Sequence, residues 1–308
     1  MLKYLLCRTK QLEKSLTDSQ AWEKLCREMS QYDVEIISID TIYSMENLQA
    51  LLSGAGFPAK SEAAGKDLKY GMPLQAQDTL VLAVEQQDAD WARELQLAVV
   101  GYELADTTEH LQGVQHIIQG FEEIDYEFLD HCYLRCHNLP WTIFYTRRCV
   151  VREITLADME ELFLLYKKDH VTDYIEPLYA YEEELAYERS YIRHMYGYYG
   201  YGMWIVRDRI TNQLIGRAGI DNREYDGKME LEMGYVIDPE YQRQGYATEV
   251  CEGIIEWVRQ NLTFERINCL VEEGNRSSIG LLCKLGFARL EDITEEGKKY
   301  CRYIFSLE

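Results

Sequence analysis

Short β-branched runs alternate with helix-period patterns through the first 140 residues, and that alternation restricts the chain more than any other feature. Tyr4–Cys7, Val34–Asp40, Thr79–Val84, Leu97–Tyr102 and the short His116–Gln119 read as strands. Ala21–Met29, Ser44–Leu52, Asp88–Leu95 and Glu122–His137 read as the intervening helices. The cap candidates Thr17, Asp18 and Ser19 precede the first helix, and a Gly/Ala/Lys-rich loop runs from Phe57 to about Pro73. Strands separated by helices at this spacing predict a parallel α/β sheet, because parallel neighbours need a crossover. No Gly-x-Gly-x-x-Gly follows any of these strands, so a dinucleotide site has no support.

A different pattern begins past Pro140, which stops the preceding helix. The expected organisation is two α/β domains, 1–140 and 148–308, joined near Asn138–Arg148. In the second, Cys149–Ile154, Met203–Arg207, Leu214–Ile220, Met229–Ile237, Ile267–Glu272, Phe287–Leu290 and Tyr300–Phe305 read as strands. Met159–Lys168, Tyr181–Tyr196, Ala247–Asn261 and Arg276–Leu285 read as helices. Asp226-Gly227 is a hairpin signal. The order β-α-α-β-β-β-α-β-α-β-β predicts a mixed sheet flanked by helices.

Charge and composition remove several function classes. The net charge of −21 argues against nucleic-acid binding; it would attract a cationic or amine-bearing substrate, or it serves solubility alone. No run of 18 apolar residues exists, so no membrane span is expected. The opening Met1-Leu-Lys-Tyr-Leu-Leu-Cys-Arg lacks an apolar core and cleavage site, so it reads as a first strand rather than an export signal. The nine scattered cysteines then read as free thiols of a cytoplasmic protein. His131, Cys132, Cys136 and His137 crowd one helix, but with no second Cys/His pair at finger spacing they read as a packed face, and no metal is expected.

The chemistry is concentrated in Gly234-Tyr-Val-Ile-Asp-Pro-Glu-Tyr-Gln-Arg-Gln-Gly-Tyr-Ala-Thr-Glu249, a strand, a short loop and a helix start. Gly245 lets the backbone adopt a conformation other residues avoid, and the helix N-terminus beyond it favours an anion such as a pyrophosphate. Arg243 adds positive charge. Glu230 and Glu232 fall on one face of the preceding strand.

These residues resemble the GNAT superfamily of acyl-CoA N-acyltransferases, whose signature Gln/Arg-x-x-Gly-x-Gly/Ala is matched by Gln242, Gly245 and Ala247. Asn275-Arg-Ser-Ser278 through Gly286-Phe287 is similar to that family's Asn-x-x-Ala/Ser…Gly-Phe segment. The run Met229–Tyr235 resembles the RimJ/RimL-like branch. The resemblance implies acetyl-CoA as co-substrate, with the backbone of Tyr235, Val236 and Ile237 along the pantetheine arm. It implies Gln242, Arg243, Gln244, Gly245, Tyr246 and Ala247 around the pyrophosphate, and Asn275 and Ser278 near the far side of the arm. It implies Glu232 as general base toward a primary amine of a small molecule or peptide N-terminus; an ion-pairing or substrate-orienting carboxylate is the other reading. Leu282 stands where many members carry a tyrosine acid, with Cys283 or Tyr246 as substitutes. A CoA-binding regulatory or assembly protein with an inactive acceptor site is the alternative. Tyrosines crowd Tyr174–Tyr201 among acidic residues, a composition suited to a cationic or an aromatic acceptor; the other reading is that Tyr187, Tyr191 and similar residues pack the helix, with the rest on the surface.

The first half resembles part of the haloacid dehalogenase-like Rossmann fold, in Asp78–Glu85 and Ala92–Gly101. The two aspartates that family carries after its first strand are absent: Cys7-Arg8-Thr9 stands there, and the second strand ends on a lone Asp40. The expectation is a non-catalytic module.

Overall fold

The computed structural model describes residues 1–15, 19–53, 74–104, 106–295 and 297–307, so the cap candidates Thr17 and Asp18 and the Gly/Ala/Lys loop from Phe57 to Pro73 lie outside the described residues. The chain divides into two compact units, Met1–Leu139 and Pro140–Glu308.

The first unit holds β1 (Tyr4–Cys7), α1 (Thr9–Ser15), α2 (Ser19–Gln31), β2 (Glu35–Ser38), α3 (Met45–Leu52), β3 (Thr79–Ala83), α4 (Gln86–Glu94), β4 (Ala98–Tyr102), β5 (Ile117–Ile118) and α5 (Tyr126–Cys136). The strands form one parallel sheet in the order β2-β1-β3-β4-β5. Strand alternation divides its apolar residues between two cores. Leu5, Leu80 and Leu82 pack with Trp22 and Met29 of α2 and Leu129, Cys132 and Tyr133 of α5. Leu6, Ile37 and Val81 pack with Leu48 and Leu51 of α3 and Trp91 of α4. Ser44 accepts from the Asn47 N–H and starts α3. Two expectations need correction. Residues Thr9–Ser15, which no sequence pattern assigns to an element, form α1, anchored by buried Leu12. The last helix starts at Tyr126 rather than Glu122, because Asp125 caps it by accepting from the Phe128 N–H.

Strand order reverses between β1 and β3, the place where sheets of this kind receive ligands. Here the chain's own groups fill it. Arg8, buried, pairs with Asp88 at 2.7 Å. Asp40 accepts from the Ser38 hydroxyl at 2.7 Å, the Thr9 hydroxyl at 2.9 Å and the Lys10 N–H at 3.1 Å. Burial alone would raise the Asp40 carboxyl, but those hydrogen bonds hold it below its ordinary range.

The second unit holds β6 (Thr142–Tyr145), β7 (Cys149–Arg152), α6 (Met159–Tyr166), α7 (Tyr181–Tyr191), a π-helical continuation (Ile192–Tyr199), β8 (Met203–Asp208), β9 (Leu214–Tyr225), β10 (Lys228–Ile237), α8 (Tyr246–Asn261), β11 (Arg266–Glu272), α9 (Arg276–Leu285), β12 (Ala288–Glu295) and β13 (Lys298–Ser306). Its mixed sheet runs β12-β13-β11-β10-β9-β8-β7-β6, antiparallel except for β10 and β11. Buried Val250, Cys251, Ile254 and Val258 of α8 share one core with Leu231, Met233, Ile267 and Cys269.

Three expectations differ here. Residues 142–145, read as part of a join, form the edge strand β6. The return strand runs to Tyr225 rather than Ile220, because Asp221, Asn222 and Arg223 keep their register on Glu232, Leu231 and Glu230. The second helix stops being α-helical at Tyr191. Asp226 and Gly227 take positive φ values of 51° and 79° and close the β9–β10 hairpin.

Candidate active site

β10 and β11 are joined at only two register positions, Leu231↔Ile267 and Glu232↔Asn268. Past Glu232, β10 continues to Ile237 on β9 alone, with Tyr235 opposite Ala218, Val236 opposite Arg217 and Ile237 opposite Gly216. The strands therefore part where Tyr235, Val236 and Ile237 were expected to meet a ligand arm. One contact spans the start of the gap: the Cys269 thiol donates to the Met233 carbonyl at 3.1 Å.

The loop beyond β10 is shaped by its own side chains. The Gln242 amide donates to the Ile237 carbonyl at 2.8 Å, and the Gln244 amide donates to the Glu240 carbonyl at 2.7 Å. Neither amide is directed outward by these bonds; both hold the loop. Arg243 and Gly245 sit at φ 56° and 85°, in the left-handed region. Glycine removes the steric cost at the second of these, immediately before α8. The first N–H groups of α8, at Tyr246 and Ala247, have no partner within the helix, as at every helix start. Residues 242–245 are exposed. This is an anion-binding geometry.

Arg148, which sequence reading did not single out, adds a guanidinium to the same loop. It donates to the Gln244 carbonyl at 3.0 Å, pairs with Glu249 at 2.7 Å and lies 3.9 Å from the Tyr246 ring centroid. The pairing with Glu249 raises its pKa further. The adjacent basic pair Arg147-Arg148 was the available signal.

On α9, Asn275 is the cap: its side-chain oxygen accepts from the Ser278 N–H at 3.1 Å. The Tyr235 hydroxyl lies 3.5 Å from the Ser278 carbonyl, so β10 and the first turn of α9 are in reach of one another. Leu282 is fully buried, Cys283 is exposed, and Tyr246 is stacked under Arg148.

Glu230 and Glu232 share a face of β10 but not a role. Glu230 is buried among Arg302 and Arg266, each at 3.0 Å, and Asn268 at 2.8 Å. Glu232 is partly exposed and pairs with Arg223 at 3.0 Å, while the Tyr225 hydroxyl donates a short hydrogen bond to it. Burial raises the Glu232 carboxyl, and Tyr225 and Arg223 pull it part of the way back. Directly opposite stands Asp221, to which the Tyr191 hydroxyl donates at 2.6 Å. Burial raises this carboxyl too. Asp221 is not apparent from the sequence, where the expected strand ends at Ile220, just before it, and five residues short of its true end at Tyr225.

The crowded tyrosines form an aromatic file. Tyr179, Tyr187, Tyr191 and Tyr196 follow one another with ring centroids 5.9, 6.1 and 5.8 Å apart, from exposed Tyr179 to fully buried Tyr196.

Comparison with known proteins finds acetyltransferases among this chain's relatives. A family model described as an acetyltransferase (GNAT) domain matches residues 148–288. The uncharacterized N-acetyltransferase YoaA of Bacillus subtilis (strain 168) is 30% identical over 149 residues, 48% of this chain and 83% of that protein. The uncharacterized N-acetyltransferase YnaD of the same organism is 27% identical over 47% of this chain and 81% of its own length. A solved spermidine N-acetyltransferase from Vibrio cholerae, in complex with CoA and spermine, is 20% identical with a TM-score of 0.44, over 52% of this chain and 96% of that one.

Proposed function

Since the chain belongs to the GNAT acetyltransferase family and is an acyl-CoA-dependent acetyltransferase, we propose that its second unit moves the acetyl group onto a primary amine by direct attack in a ternary complex. The observation that carries the reading is the parting of β10 from β11 after Glu232, with the glycine-led start of α8 just beyond. A thioester arm would lie along Tyr235–Ile237. Its pyrophosphate would rest on the Gly245–Ala247 backbone, with Arg243 and Arg148 as the positive charges and Asn275 and Ser278 at the far side of the arm.

Glu232 is the base in this reading. It takes one proton from the substrate ammonium, directly or through water, and a raised carboxyl suits that task. The freed nitrogen attacks the thioester carbon. A β10 N–H stabilises the oxyanion of the tetrahedral intermediate. As the C–N bond forms and the C–S bond breaks, the second nitrogen proton passes to the departing thiolate. A thiol of pKa about 8.5 leaves without a strong acid, which suits a site whose Leu282 is buried. Arg223 and Tyr225 hold Glu232 in place.

The test is release of CoA thiol from acetyl-CoA across a panel of primary amines, for the native protein and Glu232→Gln. An amine-dependent rate that falls in the variant supports the reading, and an unchanged rate removes Glu232 as base. The buried Leu282 also favours a second reading, a CoA-binding regulatory protein with an inactive acceptor site. Calorimetric CoA binding without turnover of any amine would establish it.

A further inference from the structure

Tyr191 and Tyr196 are five residues apart. At 3.6 residues per turn, that spacing would set their side chains about 140° apart around an α-helix. The chain instead becomes π-helical at Ile192–Tyr199, and i→i+5 bonding returns the two rings to one face. Both hydroxyls then meet one residue of β8. The Met203 N–H donates to the Tyr191 oxygen at 2.7 Å, and the Tyr196 hydroxyl donates to the Met203 carbonyl at 2.5 Å. With its oxygen already accepting from Met203, Tyr191 has its own proton for Asp221, at 2.6 Å. The change of helix type thus fixes a phenol that aims a carboxylate.

That carboxylate is unlike its neighbours. Across the strand, Glu232 is balanced by Arg223. Two strand steps away on the same face, the buried Arg217 is paired with Glu188 at 2.6 Å. Asp221 has no salt bridge among the described residues, although it stands directly opposite Glu232, where two like charges repel. Glu184, Glu188, Asp221 and Arg217 all act electrostatically on Tyr187, so three carboxylates share that layer with one guanidinium. Arg217 also acts on Asp221, but its own salt bridge is to Glu188. Glu184 and Glu188 are buried, whereas Asp221 is partly open. The file Tyr179–Tyr187–Tyr191 runs from the surface to it. A partly open carboxylate with no salt bridge of its own, reached along aromatic faces, is the chemistry that recognises an organic ammonium.

We propose that Asp221, aimed by Tyr191, seats the acceptor's ammonium group before Glu232 removes its proton, so that the site selects a cationic amine whose apolar body lies along Tyr187 and Tyr179. The inference rests on the proposed reading of Glu232 as the base for an amine acceptor. It divides two carboxylates between two tasks: Asp221 binds and Glu232 deprotonates. Tyr191 is a positioning residue acting through Asp221.

The probe is hexylamine, an ammonium at pH 7, with neutral hexan-1-ol as the control, titrated calorimetrically into the full chain saturated with CoA. The native protein should bind hexylammonium and ignore hexanol. Asp221→Asn should weaken hexylammonium binding about ten-fold or more, Tyr191→Phe by a smaller factor, and Asp221→Glu should restore part of the loss. Near-ultraviolet circular dichroism checks that each variant is folded; should Asp221→Asn fail that check, the Glu variant and Tyr191→Phe decide alone. Native-like binding by folded Asp221→Asn would overturn the proposal. So would hexanol binding as well as hexylammonium, or no hexylammonium binding by the native protein. Failure to bind CoA in the first titration would instead bring down the reading of the whole site, which separates the two.

Discussion

Asp221 on β9 and Glu232 on β10 stand directly across from one another, at the last register position where β10 is still joined to β11. The strand junction, the two carboxylates and the opening beyond them thus coincide. In the proposed reaction Glu232 is the base, so Glu232→Gln should lower kcat for any accepted amine by about a hundred-fold or more, the usual range for loss of a positioned base. The CoA dissociation constant should stay within about two-fold of native, because the proposed role of this side chain is toward the acceptor and not the arm. Steady-state thiol release with calorimetry on the same samples checks both.

The pH profile carries a sign. Burial raises the Glu232 carboxyl, while Tyr225 and Arg223 on β9 oppose that and Glu295 on β12 reinforces it. A base must be unprotonated, so kcat/KM should rise with pH through a limb above the ordinary glutamate value of about 4.3. Arg223→Met removes a group that lowers the pKa, and should shift the limb to higher pH. A shift to lower pH would contradict the electrostatic account.

Gly245 precedes α8 at φ 85°, and the nearest atom to an added Cβ there is the Arg148 guanidinium at 3.5 Å. Space is available, so the cost of Gly245→Ala is backbone strain of about 1–2 kcal/mol. Relaxing that strain would turn the α8 N–H groups away from a pyrophosphate. The expected outcome is an acetyl-CoA KM raised about ten-fold, for a lost interaction of that size, with kcat nearly native, read from initial rates at varied acetyl-CoA.

Gly219 on β9 is constrained by space rather than by φ. A Cβ there would stand 2.1 Å from the Gly202 carbonyl oxygen and 2.7 Å from the Met203 Cα, both backbone. Gly219→Ala should therefore destabilise the second unit by about 3 kcal/mol, measured as the shift in urea midpoint.

Asp158 lies buried between Arg152 at 2.5 Å and Arg207 at 2.8 Å. Burial would raise its carboxyl, but Arg152, the Thr155 N–H and Arg207 bring it down to about 2. Its folded pKa is below the unfolded value of about 3.9, so its stabilising contribution is present above pH 4 and is lost as pH falls toward 2. Asp158→Asn should cost about 3 kcal/mol at pH 7, because half-buried Arg152 loses its carboxylate and buried Arg207 is left with Glu161. The gap between variant and native should narrow in acid.

Sequence periodicity located most elements because their apolar faces are buried: Arg276–Leu285 is α9 as read, and Tyr4–Cys7 is β1. It missed β6, where only Thr142–Tyr145 at a sheet edge carry the signal, and α1, where a single leucine makes the core contact. It also read Tyr181–Tyr196 as one α-helix, since nothing in local propensity marks a π segment that is held by the Tyr191 and Tyr196 contacts to Met203. The candidate loop 242–247 was legible because glycine, strand and helix start are adjacent in the chain. Asp221 and Arg148 were not, because they join the site through a strand register and a pairing with Glu249, both long-range.

The central claim is that the carboxylate at the parting of β10 and β11 deprotonates a primary amine for acetyl transfer. The most direct measurement is amine-dependent CoA release by the native protein and Glu232→Gln, with the acetylated amine identified by mass spectrometry. The account predicts an acetamide product and a kcat about a hundred-fold lower in the variant at unchanged CoA affinity. Equal rates in the two proteins, or CoA release that does not depend on the amine, would contradict it.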